Sequence, residues 1–214
     1  MLISMHRKSL AIIFLIHSYI FLAGCTSPLP RQAEILRQGQ PCCSDISQLP
    51  ITRAQPESQF SADLIDSTPI FDFAEGRSHF VAIAVPRERQ SRLLELNTWH
   101  RGMTKLDEQI FCPVITTLDA NKKPIGKLKL TEMEFTPANL IENSKFSTLV
   151  YIPSNAEYIV AHTMAESIGK SLSALINKQS SMIFIGTNAY VQSGGIQMRN
   201  IRCRPQGRIS FLWK

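Results

Sequence analysis

The stretch Lys127–Phe135, KLKLTEMEF, alternates between polar and apolar residues and sets the expectation for the whole chain. Leu128, Leu130, Met133 and Phe135 fall largely on one face of an extended segment, because successive side chains of a β-strand point to opposite sides. One buried face and one solvated face are typical of a strand in an antiparallel sheet. The pattern therefore predicts a strand with one face on a core.

Outward from this stretch, other short runs have the composition of strands, and polar turns separate them. Such runs occur at residues 78–85, 92–99, 109–118, 146–152 and 158–160. The last two runs, 196–203 and 208–213, flank Arg204-Pro205-Gln206-Gly207 and look like a hairpin. These features predict a mainly β, antiparallel β-sandwich-like domain over residues 42–214.

One segment has a different pattern. Met164–Asn177 contains Ala, Glu, Met, Leu and Lys residues at spacings that fit a helix. We therefore expect one helix, or a helical insertion, near residues 164–177.

The N-terminus has the layout of a signal peptide. A basic start is followed by an apolar run at residues 10–22 and by two small residues, Ala23 and Gly24. The apolar run is shorter than the roughly 20 residues that a membrane-spanning helix needs. Residues 1–24 are therefore predicted to be a signal peptide rather than a permanent membrane helix.

The segment Leu22–Cys25, LAGC, resembles the lipobox of bacterial lipoproteins. This predicts that Cys25 is lipidated and becomes the first residue of the mature protein, since its thiol carries the diacylglycerol and acyl chains such as palmitate supply a stable anchor. An ordinary signal peptide that is cleaved near a cysteine is the alternative. No acidic residue follows directly at Thr26 or Ser27, which predicts the periplasmic side of the outer membrane. Residues 25–41 are polar and proline-punctuated and are interpreted as a tether.

Four further cysteines, Cys42, Cys43, Cys112 and Cys203, are expected to form disulfides in an oxidising compartment. Adjacent residues have Cα atoms about 3.8 Å apart, too close for an unstrained bond. We therefore expect Cys42 and Cys43 to bond Cys112 and Cys203, one each, in an order that is left open. Free thiols are the next alternative, and a metal site the last, because no C-x₂-C pair is present.

The sequence contains none of the common catalytic motifs. No H-E-x-x-H pair, G-x-S-x-G elbow, Walker loop or dinucleotide fingerprint occurs. We therefore expect a protein without enzymatic activity, cofactor or metal. The formal net charge of +6, which includes the signal's Arg7 and Lys8, is too small to indicate nucleic-acid binding.

Two groups of residues are candidates for binding. Aromatic side chains that can stack on sugar rings are Trp99, Tyr151, Tyr158 and Trp213, with core packing as the alternative for each. No acidic residue follows Glu166, so that a basic patch is expected around the predicted hairpin, at Arg199, Arg202, Arg204 and Arg208. Such a patch suits anionic lipid or an acidic protein partner. The alternative is a solvated strand edge that positive charge protects from aggregation.

Several segments carry a further signal: Cys42–Pro50, Phe71–Phe73 leading into Gly76–Ala82 and Val85-Pro86, Phe111–Pro113 through Thr117–Asp119, and Tyr158–Val160. Together they resemble the maltose operon periplasmic protein family, including its lipoprotein members. The resemblance implies a β-sandwich-like accessory protein of the envelope without enzymatic activity, linked to maltose or maltodextrin transport. No set of ligand-binding residues carries over. The alternative function is a structural or assembly lipoprotein that binds an envelope complex or anionic lipid through its basic C-terminal residues.

Overall fold

The computed structural model describes residues 28–55, 59–86, 92–100, 109–130, 133–138, 143–178, 181–185, 188–192 and 195–214, with side chains except those of Pro28, Lys129 and residues 173–199. It contains a helix α1 (Pro28–Gln38) and two short 3₁₀ helices, Ile46–Gln48 and Ala165–Ser167. The strands are β1 (Thr52–Arg53), β2 (Phe60–Leu64), β3 (Ile70–Phe73), β4 (Gly76–Ala84), β5 (Leu93–Trp99), β6 (Gln109–Phe111), β7 (Val114–Leu118), β8 (Pro124–Lys129), β9 (Glu134–Thr136), β10 (Lys145–Tyr151), β11 (Tyr158–His162), β12 (Ser171–Lys178), β13 (Ser181–Ile185), β14 (Asn188–Gln192), β15 (Gly195–Arg204) and β16 (Gly207–Trp213).

The strands form two main sheets and one small hairpin. The large sheet has the order β2-β16-β5-β10-β9-β12-β15-β6, and the small sheet has the order β1-β4-β11-β7-β8, with β3 paired to β4. Strands β13 and β14 pair with each other. Most pairings are antiparallel, so the predicted mainly β, sandwich-like fold is confirmed.

The core lies between the two main sheets. One buried cluster joins both sheets. It contains Ile83, Ile115 and Ile159, from three strands of the small sheet, and Leu94, Phe146 and Phe211 of the large sheet. The opposite face of the small sheet is buried as well, because Phe80, Leu118 and Val160 pack with Leu49, before β1, and with Phe71 of β3. This double burial explains why every residue of β7 is buried.

Two predicted strands each divide into two strands that belong to different sheets. Lys127–Phe135 ends β8 in the small sheet and begins β9 in the large sheet, with buried Leu130 and Met133 between them. The run 109–118 likewise divides at Cys112-Pro113, where β6 of the large sheet gives way to β7 of the small sheet. These crossings join the two layers.

The helix predicted near residues 164–177 is absent from that position. Ala165–Ser167 is a single 3₁₀ turn, Gly169 has φ +80°, and Ser171–Lys178 is strand β12, paired with β15 over eight residues. The backbone bonds Gly169 N to Cys203 O and Cys203 N to Lys170 O, both 2.8 Å, start this pairing. Sheet pairing thus overrides a local helical preference.

The prediction of a C-terminal hairpin around Arg204–Gly207 is also wrong. Strand β15 pairs with β12 and β6, whereas β16 pairs with β5 and β2. The connection packs against β6: a Cβ at Gly207 would lie 2.9 Å from that of Phe111. The two strands therefore take separate places in the large sheet.

The predicted tether contains an ordered helix instead of an extended linker. In α1, Leu36 is 3% exposed, and Arg77 of β4 donates to the carbonyl oxygens of Arg37 and Gly39 at 2.9 and 2.8 Å. Proline is tolerated in the first turn of a helix, which explains Pro28 and Pro30. The apolar pair Ile35-Leu36, which interrupts the polar segment, is the signal for this docking.

Candidate functional site

The outer face of the large sheet, turned away from the core, carries two of the aromatic residues predicted to bind a ligand. Trp99 on β5 pairs with Lys145 on β10, and Tyr151 lies six residues further along β10. Because alternate residues share a face, Trp99 and Tyr151 lie on the same side of the sheet, about 20 Å apart at roughly 3.3 Å per residue. Tyr151 is 70% exposed, while Trp99 is half-buried.

A cavity of about 500 Å³ opens beside Trp99, and we call it the Trp99 cavity. Its lining residues are Asp63, Leu64, Ile65, Trp99, His100, Asn143, Arg204, Gln206, Gly207 and Arg208. They come from β2, β5, the end of β15, the start of β16 and the segments that follow β2 and β5 or precede β10 and β16. This volume is in the range of small-molecule sites.

Arg208 brings a positive charge to the lining of the Trp99 cavity. Its Nε and Nη2 donate to the two carboxylate oxygens of Asp63, its register partner on β2, at 3.1 and 3.2 Å. The same guanidinium lies 5.8 Å from the centre of the Trp99 ring. A planar arginine bonded to a carboxylate and placed over an indole is held in one orientation.

The middle of the outer face is a buried polar layer. Ser147 Oγ donates to Asn97 Oδ1 at 2.6 Å, and Asn97 Nδ2 donates to Glu95 Oε1 at 3.1 Å. A hydrogen bond from Lys214 lowers the pKa of Glu95, so that this carboxylate is charged at neutral pH. Asn97 itself is 2% exposed and forms part of the packing rather than an open surface.

The other two aromatic candidates are placed differently. Trp213 is 3% exposed and belongs to the core between the sheets, which leaves no ring face for a ligand. Tyr158 lies on β11 of the small sheet and packs against the cluster of Phe80 and Val160. The four residues therefore do not line one groove, and Trp99 is the one that lines a cavity described here.

The four predicted basic residues do not converge on one exposed face. Arg204 is 2% exposed and lines the Trp99 cavity, and Arg208 is bonded to Asp63 beside it. Arg202 is exposed two residues earlier on β15, and the side chain of Arg199 lies outside those described. The predicted patch is wrong in this form, because Arg204 is buried and Arg208 lies on β16, which does not neighbour β15.

The predicted disulfide partners are wrong, although a disulfide is present. Cys112 and Cys203 bond each other, with Cα atoms 5.3 Å apart. Strands β6 and β15 are register partners at Ile110 and Cys203, which brings the two cysteines together. Cys42 and Cys43 are free, the first exposed and the second half-buried, and the lipidation candidate Cys25 lies outside the described residues.

The buried histidines belong to the packing of the small sheet. His162 Nε2 lies 3.1 Å from Thr116 Oγ1, its ring stacks on Phe73 at 3.8 Å, and burial lowers its pKa to about 4. His79 donates from Nδ1 to the carbonyl of Thr68 at 2.9 Å, and burial lowers its pKa as well. Both are enclosed, so neither offers a nitrogen to a ligand in solution.

His100 is the histidine that reaches the Trp99 cavity. Its Nδ1 lies 3.3 Å from Ser144 Oγ, a pairing that resembles a nucleophile and its base. Asp63, the carboxylate among the cavity's described lining residues, is occupied by two hydrogen bonds from Arg208.

Within the described part of the chain, no helix is long and apolar enough to cross a bilayer. Among the same residues, no three His, Cys, Asp or Glu side chains are grouped as a metal site requires. Comparison of the chain with protein-family models, with curated proteins and with solved structures finds no significant match in any of the three.

Proposed function

We propose that this chain is a non-catalytic, lipid-anchored binding protein of the bacterial envelope that holds a carbohydrate in the Trp99 cavity and assists its uptake. The observation that carries the proposal is the cavity beside Trp99, whose lining combines an aromatic ring with planar polar side chains. The resemblance to the maltose operon periplasmic protein family points to maltodextrins as the first ligands to test.

The chemistry of the Trp99 cavity suits a sugar. An indole ring packs against the C–H face of a pyranose, while amide, carboxylate and guanidinium groups bond its hydroxyls. Asn143 supplies both donors and acceptors, Gln206 adds the acceptor Oε1 because its Nε2 donates to Asp66, and Asp63 adds acceptor lone pairs beyond those that Arg208 uses. The lining therefore matches a ligand with many hydroxyl groups.

Lipid anchoring rests on the signal layout and on Cys25. We propose that the anchored domain faces the periplasm from the outer membrane, where incoming sugars pass. The alternative, an assembly lipoprotein that binds a complex through basic C-terminal residues, has less support, because Arg204 is buried and Arg208 is bonded to Asp63.

Calorimetric titration of the detergent-solubilised lipoprotein with maltose and longer maltodextrins tests the proposal. We expect saturable heat that Trp99→Ala weakens by about tenfold or more, since an aromatic contact and its buried area exceed ~1.4 kcal/mol together. Tyr151→Ala is the matched control, since it removes an exposed aromatic about 20 Å away on the same face. Absence of heat across the series, or equal losses in both variants, contradicts a sugar site at Trp99.

A further inference from the structure

The surface around the start of α1, from which the chain continues back to Cys25, carries several exposed basic residues. Leu29, near the start of α1, packs on Gly169. Its Cδ2 lies 3.8 Å from the position that a Cβ would occupy at residue 169. Lys170 follows directly and is exposed, and Arg202, the register partner of Ser171, is exposed beside it. Arg31, on the first turns of α1, is exposed as well.

The acidic residues near this end leave it with a positive balance. Glu34 is bonded by Arg37 and Gln38 of the same helix. Asp72, beside α1, is bonded by Arg77, and Glu75, beside the 3₁₀ turn, is bonded by Lys127. Glu166, on the 3₁₀ turn, is exposed. Arg31 lies on α1, Lys170 follows Gly169, which Leu29 contacts, and Arg202 is the register partner of Ser171. These three exposed cations lie near the start of α1, and we call them the basic end.

The distance from the basic end to Cys25 is short. Two residues, Thr26 and Ser27, separate Cys25 from Pro28, and the three Cα–Cα steps between them span at most about 11 Å when fully extended. Because α1 is docked through Leu36 and Arg77, the helix adds no slack between the lipid and the body. A lipid on Cys25 thus brings the basic end within reach of the headgroup layer.

We propose that Arg31, Lys170 and Arg202 form a membrane-contact surface that rests on anionic lipid headgroups and holds the domain in one orientation. This proposal rests on lipidation at Cys25 and is independent of sugar binding. Each Lys or Arg near an anionic surface favours the bound arrangement by about fivefold. Loss of two of the three cations should lower the ratio of domains that rest on the membrane to domains held only by the lipid anchor by about 25-fold.

Acetylation of lysines in the full lipidated protein, read by mass spectrometry, tests this surface. The protein is compared in detergent and in vesicles of phosphatidylcholine with phosphatidylglycerol, after flotation of the vesicles. We expect Lys170 to react more slowly in vesicles and Lys123 to react equally in both. Val114, the first residue of β7, lines a small cavity together with Lys170. Lys123 is exposed and follows the other end of β7, so it lies away from the basic end.

The variant Arg31→Gln/Arg202→Gln should restore fast labelling of Lys170 while the protein still floats with the vesicles. The control Arg53→Gln/Lys123→Gln removes two exposed cations at the opposite end and should leave Lys170 protected. Equal labelling of Lys170 in vesicles and detergent, in protein that floats, overturns the contact surface alone. Failure to float contradicts lipid anchoring and this surface with it, whereas calorimetry with sugars tests the Trp99 cavity separately.

Discussion

The disulfide Cys112–Cys203 should contribute more to stability than any other single covalent feature of the described chain. It joins residues 91 positions apart and connects the crossing between β6 and β7 to β15. Closing a loop of that length lowers the entropy of the unfolded chain by an amount worth about 4.6 kcal/mol at 25 °C. This is a large share of the roughly 5–15 kcal/mol that stabilises a typical domain.

The perturbation is Cys112→Ala/Cys203→Ala, and urea unfolding followed by tryptophan fluorescence is the assay. We expect the free energy of unfolding to fall by about 4–5 kcal/mol, and reduction of the wild-type protein to give a similar loss. The control Cys42→Ser/Cys43→Ser changes two free thiols and should leave the unfolding midpoint nearly unchanged.

Thiol counting gives an independent check of the same pairing. In a Cys25→Ser variant that is denatured without reductant, two thiols should react, those of Cys42 and Cys43. No reactive thiol, together with equal destabilisation in both double variants, would refute the pairing and the magnitude derived from it.

Three further predictions concern stability and anchoring. Burial lowers the pKa of His162 to about 4 from an ordinary 6.5, so the unfolded chain binds this proton first and stability falls by about 3 kcal/mol as the pH drops from about 6.5 to 4. His162→Gln should reduce the fall of the urea midpoint over that range, with the rest due to His79, whose pKa burial lowers as well; equal slopes in both proteins would count against it. Leu36→Ala should release α1, at a cost of about 2–5 kcal/mol, and speed amide exchange over Pro28–Gln38, while Gln38→Ala, at an exposed position, should not. Cys25→Ser should move the protein from the membrane fraction to the soluble periplasmic fraction, and retention in the membrane would contradict lipidation.

The strands could be predicted from the sequence because alternation reports local burial. Ser78–Val85 and Arg92–Trp99 match β4 and β5 to within two residues at each end. The crossings between the sheets, at Cys112-Pro113 and between Lys129 and Glu134, could not be predicted. In the sequence, an apolar residue at the junction of two sheets has the same pattern as one inside a strand. Register and sheet order depend on contacts distant in sequence.

The errors at the candidate site have a similar origin. Ile209, Phe211 and Trp213 share one parity along the last strand, and this apolar run could have indicated that Trp213 is buried. In the same way, Leu94 and Leu96 have the opposite parity to Trp99, which indicates an outward indole. The pairing of Cys112 with Cys203 had no such local signal, since it follows from the parallel pairing of β6 with β15.

The most direct test of the proposed function uses the two tryptophans of the chain as a probe and an internal reference. Indole N–H signals of Trp99 and Trp213 are followed by NMR in ¹⁵N-labelled protein during titration with a maltodextrin. The account predicts that the Trp99 signal shifts with saturation, while the signal of Trp213, buried in the core, stays in place. An unchanged Trp99 signal at saturating sugar, or equal shifts of both signals, would contradict a carbohydrate site in the Trp99 cavity.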